Sequence, residues 1–198
     1  METNSQRGAQ ENLGPQNNLN NTLTSRVGRV LAALTQMGDQ IALQQPMRQD
    51  SSAFSSTLPS NIPVHAYFMY VSINSGLADN QAIISLVLIE RLCRIANQNG
   101  LPIIINSLNI HRLILASVLV VSKFYNDLFF QNSYVAYVGG VHPQEINLLE
   151  KEFIRILGWS LWVDPTEYDF YLRGIMQHQN LTDQNQQQQY QHTQPTIQ

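Results

Sequence analysis

From Leu113 to Val121 the chain reads LILASVLVV, a run in which Ser117 is the only polar residue. A helix that faces water needs a polar stripe, and this one has none. The segment is therefore predicted to be a central helix packed on most sides. Asn109 is placed to cap its start, and Ala116 and Ser117 are small enough to let neighbouring helices approach closely. The run gives way to Lys123, Asn126 and Asp127, so charge leaves the core at its end.

Such a helix needs a domain around it, and composition says where that domain lies. Of 198 residues 43% are hydrophobic, concentrated between Ile62 and Met176, which fits one domain with tails. A net charge of -3 leaves no basic excess to neutralise phosphates and argues against a nucleic-acid binder. Cys93 is the single cysteine, so no internal disulfide framework exists and an intracellular, reducing compartment is expected. The opening residues METNSQRGAQENLGPQNNLN lack the apolar core of a signal peptide. A membrane span needs about 20 apolar residues, and Pro102, Asn106, Ser107, Asn109, His111 and Arg112 interrupt the one candidate run. The chain is expected to be soluble, cytoplasmic or nuclear.

Residues 1–60 read as mostly disordered, being rich in Asn, Gln and Gly, with a short helix near 25–38. Thr24 or Ser25 can cap that helix, Val27, Val30, Leu31 and Leu34 fall at helical spacing, and Gly38 can stop it. About three turns of isolated helix are marginal in water, so this piece docks on the main domain, docks on a partner, or frays. Gln44 to Ser60 reads as a linker.

The domain proper spans 61–176. Pro63 opens a helix with Val64, Tyr67, Phe68 and Val71 on one stripe, closed by Gly76. Asp79 is expected to cap a second helix carrying Ile84, Val87, Leu88, Leu92 and Ile95, broken by Asn99-Gly100 and Pro102. After the central helix, Asn132 or Ser133 caps a short fourth, stopped by Gly139-Gly140. Pro143 starts a fifth, with Ile146, Leu149, Phe153, Ile156 and Leu157 inward until Gly158. Pro102 to Ile105 reads as an extended connection. Asp164-Pro165 signals one more short helix, Tyr168 to Met176. Residues 177–198 form a Gln-rich tail predicted to be disordered. The fold class is all-α: a five-helix bundle with a central buried third helix, flanked by disordered tails.

No enzyme constellation is visible. The histidines at 65, 111, 142, 178 and 192 show no metal-ligand spacing, and neither a Walker loop nor a nucleophile elbow occurs, so no metal or cofactor is expected. Cys93 lies in an apolar periodic helix and reads as a buried structural thiol. What remains are charges beside apolar surface. Lys123 follows Leu119 and Val120 and precedes Phe124, while Glu150 has Ile146, Phe153 and Ile154 within a turn. Each reads either as a snorkelling surface charge or as part of a site. Asp127 reads as a turn former or as part of the same site.

The ordered segments VLIERL, NIHRLILAS, SKFYND, NSYVAYVGGV and EINLLEKEFIRILGWSL resemble the phosphate-signalling cyclins of fungi and the P/U-type cyclins of plants and protists. The resemblance spans Ile62 to Val163. It implies a cyclin box, a non-catalytic regulatory subunit that forms a heterodimer with a cyclin-dependent kinase and activates it. It also implies that Lys123 and Glu150 pair at the kinase-binding surface, with Phe124 among the apolar residues around them and Asp127 retained beside them. Family members often carry two acidic residues after the lysine, where this chain has Asn126-Asp127. A cyclin-fold adaptor that binds without activating is the alternative.

Overall fold

The computed structural model describes residues 21–44 and 50–177. Its helices are α1 (Leu23–Gln44), α2 (Val64–Asn74), α3 (Gln81–Gln98), α4 (Ile110–Tyr125), α5 (Asn132–Gly139) and α6 (Pro143–Leu157), followed by α7 over 165–177. Among the described residues there is no strand, and no helix is long and apolar enough to cross a membrane.

The aliphatic run does what its composition requires. In α4, Ile110 and every residue from Leu113 to Ser122 are buried. Its two buried hydroxyls return their hydrogen bonds to the helix, Ser117 Oγ to the Ile114 carbonyl and Ser122 Oγ to that of Leu119, both at 2.9 Å, so neither hydroxyl is stranded. Asn109 holds the N-cap position without capping by its side chain. Its carboxamide instead ties the preceding loop, accepting from the Asn106 amide and donating to the Ile104 carbonyl and to Asp50.

Helices α2, α3, α5 and α6 surround α4. Of the predicted stripes, Tyr67, Phe68 and Val71 in α2 and Ile146, Leu149, Phe153, Ile156 and Leu157 in α6 are buried, and Val64 is partly buried against the same core. In α3 every residue from Gln81 to Ile89 is buried, so its first half has no exposed face at all. The two adjacent glycines at the end of α5 serve different ends. Gly140 takes φ +69° and caps the helix in left-handed geometry. Gly139 is needed for space, since a Cβ there would lie 2.5 Å from the methyls of Leu115. Asp164 Oδ1 accepts from the amides of Thr166 and Glu167 and so caps α7, as its sequence signal predicts.

The largest differences from the sequence reading lie before Ile62. The helix expected near 25–38 is a 22-residue helix packed on the bundle, with Val27 and Leu31 in the core. Gly38 does not stop it. The helix passes through Gly38 because the Ile105 carbonyl lies where a Cβ would stand. The cap also differs: the Ser25 amide donates to Thr22 Oγ1, while Asp79 accepts from the amides of Leu23 and Thr24 at 3.0 and 2.8 Å. Asp79, expected to cap α3, thus places its charge at the positive end of α1. Asn80 occupies the α3 cap position without a side-chain bond. The supposed linker is a strap over its described part, 50–60: Phe54 is fully buried edge-on to Phe153, and Ser56 bonds the Leu108 carbonyl. The disorder expected for 1–20 and for the tail from 178 lies outside the described residues.

Two predictions follow, one from the helical glycines and one from the way α1 is held. An exposed helical glycine replaced by alanine gains about 0.5–1 kcal/mol, and Gly174→Ala, with nothing within 4 Å of the added methyl, should do so. Gly38→Ala should have the opposite sign and lose about 1–3 kcal/mol in chemical denaturation, because the methyl meets backbone that cannot turn away. The second concerns His65 on α2, which lies against Gly28 and meets Ser25 Oγ at 3.1 Å. Burial, helped by nearby Arg29, lowers the His65 pKa below 6.5 despite the opposing bond to Ser25. The unfolded chain therefore takes up the proton first, and the stability held by neutral His65 is lost as pH falls through about 6.5. Melting temperature measured from pH 7.5 to 5.5 should fall, and His65→Gln should shrink that fall.

Candidate functional site

Lys123 leaves the buried length of α4 in its last turn, just where the helix emerges, so its methylene stem runs from the core and its ammonium reaches the surface. Glu150 stands midway along α6, beside buried Leu149. The two meet, with Lys123 Nζ 2.6 Å from Glu150 Oε1. Side-chain exposure of 27% and 17% makes the pair half-desolvated, wetter than a core ion pair and drier than a surface one. Eleven residues back along α4, Arg112 pairs with Glu145 at 2.7 Å, so two ion pairs join α4 to α6.

The other carboxylate oxygen is also held. Asn132 Nδ2 donates to Glu150 Oε2 and to Asn147 Oδ1, both at 2.7 Å, which uses both of its amide protons. The sequence reading offers Asn132 or Ser133 as the helix cap. The cap position is Gln131, and Asn132 in the first turn of α5 instead fixes the acid that fixes the lysine. Only a pairing between residues 18 positions apart reveals this, and no local signal encodes it.

Glu150 is thus oriented before any partner arrives. Lys123 has three N–H donors and, among the described residues, spends one on Glu150. Two find no acceptor among the described residues. Around the pair lies apolar area that water does not favour. The Phe129 ring stands 6.0 Å from the ammonium, Phe124 is 49% exposed and Leu128 90%, and Phe130 and Tyr134 lie half open against each other. Isolated exposed apolar residues are ordinary, but several exposed aromatic and aliphatic residues between 124 and 134, with one ring beside the oriented charge pair, have the composition of an interface.

The four predicted site residues are not equally joined. Lys123 and Glu150 are in contact. Phe124 adjoins Lys123 in sequence and packs its ring edge on Tyr125, with centroids 5.0 Å apart. Tyr125 is pinned in turn, its hydroxyl donating to the Leu161 carbonyl and accepting from the Val163 amide. Asp127 lies exposed in the α4–α5 connection, with no hydrogen bond or ion pair to another described residue, while neighbouring Asn126 is held by Gln81 at 2.6 Å. Cys93 is partly buried in α3, and burial, with Glu90 and Asp50 nearby, pushes its thiol up to about 12, so it stays protonated. Among the described residues no group of three or more His, Cys, Asp or Glu side chains is placed to hold a metal ion.

Comparison with known proteins bears on what this surface belongs to. The family model described as Cyclin matches residues 17–161, a span that takes in α1 as well as the helices around α4. Cyclin-U4-2 of Arabidopsis thaliana is 34% identical over 135 residues, covering 67% of this chain and 61% of the relative. Cyclin-U4-1 of the same plant is 32% identical over 133 residues, with 67% and 64% covered. The Nuc-1 negative regulatory protein preg of Neurospora crassa is 27% identical over 150 residues, 76% of this chain but 30% of that protein. The chain spans about three fifths of the length of the two plant relatives. These are relatives of the kinds that the sequence motifs resemble, and the all-helical bundle around a buried α4 agrees with them. The chain belongs to the cyclin family, whose members are generally non-catalytic regulatory proteins.

Proposed function

We propose that this protein is the regulatory subunit of a cyclin-dependent kinase and that the surface around Lys123 and Glu150 binds the kinase beside its C-helix. The observation that carries the reading is the preassembled pair: Lys123 at 2.6 Å from a Glu150 whose second oxygen is already held by Asn132, with the Phe129 ring 6.0 Å from the ammonium and Phe124 and Leu128 exposed in the adjoining chain. Lys123 offers its two remaining donors to backbone carbonyls next to the C-helix, and Glu150 has lone pairs left for backbone amides. The aromatic rim covers the helix. Apolar area supplies affinity, and the charge pair fixes register.

A protein kinase is active when its strand lysine pairs with the C-helix glutamate. A subunit that binds the inward position of that helix better than the outward one shifts the population toward the active state by the difference in affinity. The pair costs little to bring to such an interface, since α4, α6 and α5 have already ordered it. An adaptor that binds without activating is the second reading. Pull-down with a cyclin-dependent kinase followed by a phosphoryl-transfer assay separates the two, since capture with activation supports the first and capture without it supports the adaptor.

Replacing Lys123 or Glu150 with Ala should weaken kinase binding by about 2 to 5 kcal/mol, roughly 30- to 4,000-fold, because the remaining charge is left unpaired at a desolvated interface. The double variant should lose less than the two single losses added. The fold should persist, since neither side chain belongs to the hydrophobic core. Titration by surface plasmon resonance, with melting curves alongside, checks all three; parental affinity in both single variants returns the residues to surface charges.

Asp127 extends the reading. An exposed carboxylate after α4 can pair with kinase arginines that otherwise receive a phosphorylated activation-loop residue. Asp127→Asn should therefore reduce activation of a kinase whose activation loop is unphosphorylated and leave binding close to the parent's. Unchanged activation assigns Asp127 to the turn alone.

A further inference from the structure

Helix α1 buries one face on the bundle through Val27, Gly28, Leu31, Thr35 and Gly38, and beside it runs a second apolar stripe, Val30, Leu34, Met37 and Ile41. The spacing of that stripe is four, three and four residues. Facing it on α3 are Leu86, Glu90, Cys93 and Asn97, again spaced four, three and four. Between the two helices lie two cavities of about 560 and 340 Å³, lined in common by Glu90. Residues of α7 wall the outer end of the larger cavity, and Ile103 to Ile105 wall that of the smaller. Among the described residues nothing covers Met37, which is 58% exposed. Two walls with the same heptad-like spacing are what an amphipathic helix needs to lay its own apolar residues along them.

The charges along this groove say what kind of helix fits. Glu90 is its central charge. It accepts a hydrogen bond from the Tyr171 hydroxyl at 2.8 Å, and no ion pair with another described residue is formed. The tail after α7 is a poor match. Residues 178–198 contain neither Lys nor Arg, and their large apolar residues are Leu181, Tyr190 and Ile197, far from helical spacing. A second copy's α1 has its widest apolar face committed to its own bundle. Arg173 stands at the α7 end of the larger cavity, where an occupant's carboxyl end would meet it with the negative pole of its dipole.

We infer that the α1–α3 groove docks an amphipathic helix of a second protein, one bearing a single Lys or Arg within its apolar face to meet Glu90. The stripe from Val30 to Ile41 is about 16 Å long, so the docked segment is on the order of three turns. This surface is built from different helices from those that hold Lys123 and Glu150, and the inference does not rest on kinase binding.

The test uses the full chain and a fluorescein-labelled designed helix of about 14 residues, with leucines spaced four, three and four and one lysine among them. A twin peptide carries glutamate for that lysine. Fluorescence anisotropy should show the lysine peptide binding at least about 10-fold tighter than its twin, as a partly desolvated charge pair requires. Met37→Glu should abolish binding while the melting temperature holds, and Ile41→Glu should do the same. Glu90→Gln keeps an acceptor for Tyr171 and should make the two peptides bind alike. Equal binding of both peptides to the parent, or binding indifferent to Met37→Glu and Ile41→Glu, overturns the inference. So does a dimer in sedimentation that Met37→Glu dissolves, or hydrogen exchange protecting 178–198 on this groove, since a second copy or the tail would then be the occupant.

Discussion

The all-round burial of α4 is the constraint from which the rest of the molecule follows. A helix with no polar face must be covered by other helices, and its first charged residue after Arg112 can appear only where it leaves them. That residue is Lys123. Its stem is trapped by the packing that buries Val120 and Val121, so its head has a fixed place at the surface, and Glu150 of α6 is there to receive it. The oriented charge at the site is thus a consequence of how the core ends, and any change that loosens the core near the last turn of α4 also unsettles the site.

The cover itself is less uniform than a five-helix description suggests. α1 and the strap through Phe54 close sides of the bundle that α2, α3, α5 and α6 leave open, and the family match beginning at residue 17 treats α1 as part of the same region. After α6, Arg91 of α3 draws the chain back, donating to the carbonyls of Ser160 and Trp162 and to Glu167. Buried almost wholly, this guanidinium finds three acceptors, as an interior charge must. It fixes the start of α7 and thereby the end wall of the α1–α3 groove.

Much of this is legible in the sequence because it is local. The aliphatic run of α4, the stripe of α6 and the Pro and Gly that bound it each state their structure within a few residues. What escapes local reading is every choice made for a distant partner. Gly38 has the chemistry of a helix stop and serves as a gap for the Ile105 carbonyl. Asp79 has the chemistry of a cap and caps a helix 55 residues earlier. Phe54 sits in a serine-rich segment and fills the core. Asn132 reads as a cap and holds Glu150. The pairing of Lys123 with Glu150 came from family resemblance, since a separation of 27 positions carries no signal of contact.

Where the kinase sits on the chain is the claim on which the functional account turns, and photocrosslinking answers it most directly. A benzophenone side chain placed at Phe124 or at Phe129 in the full chain, irradiated with a cyclin-dependent kinase, should give a covalent product whose peptide maps to the kinase C-helix. The same group at Met37, on the opposite groove, should give none with that kinase. A product from Met37 together with silence from Phe124 and Phe129 would contradict the account.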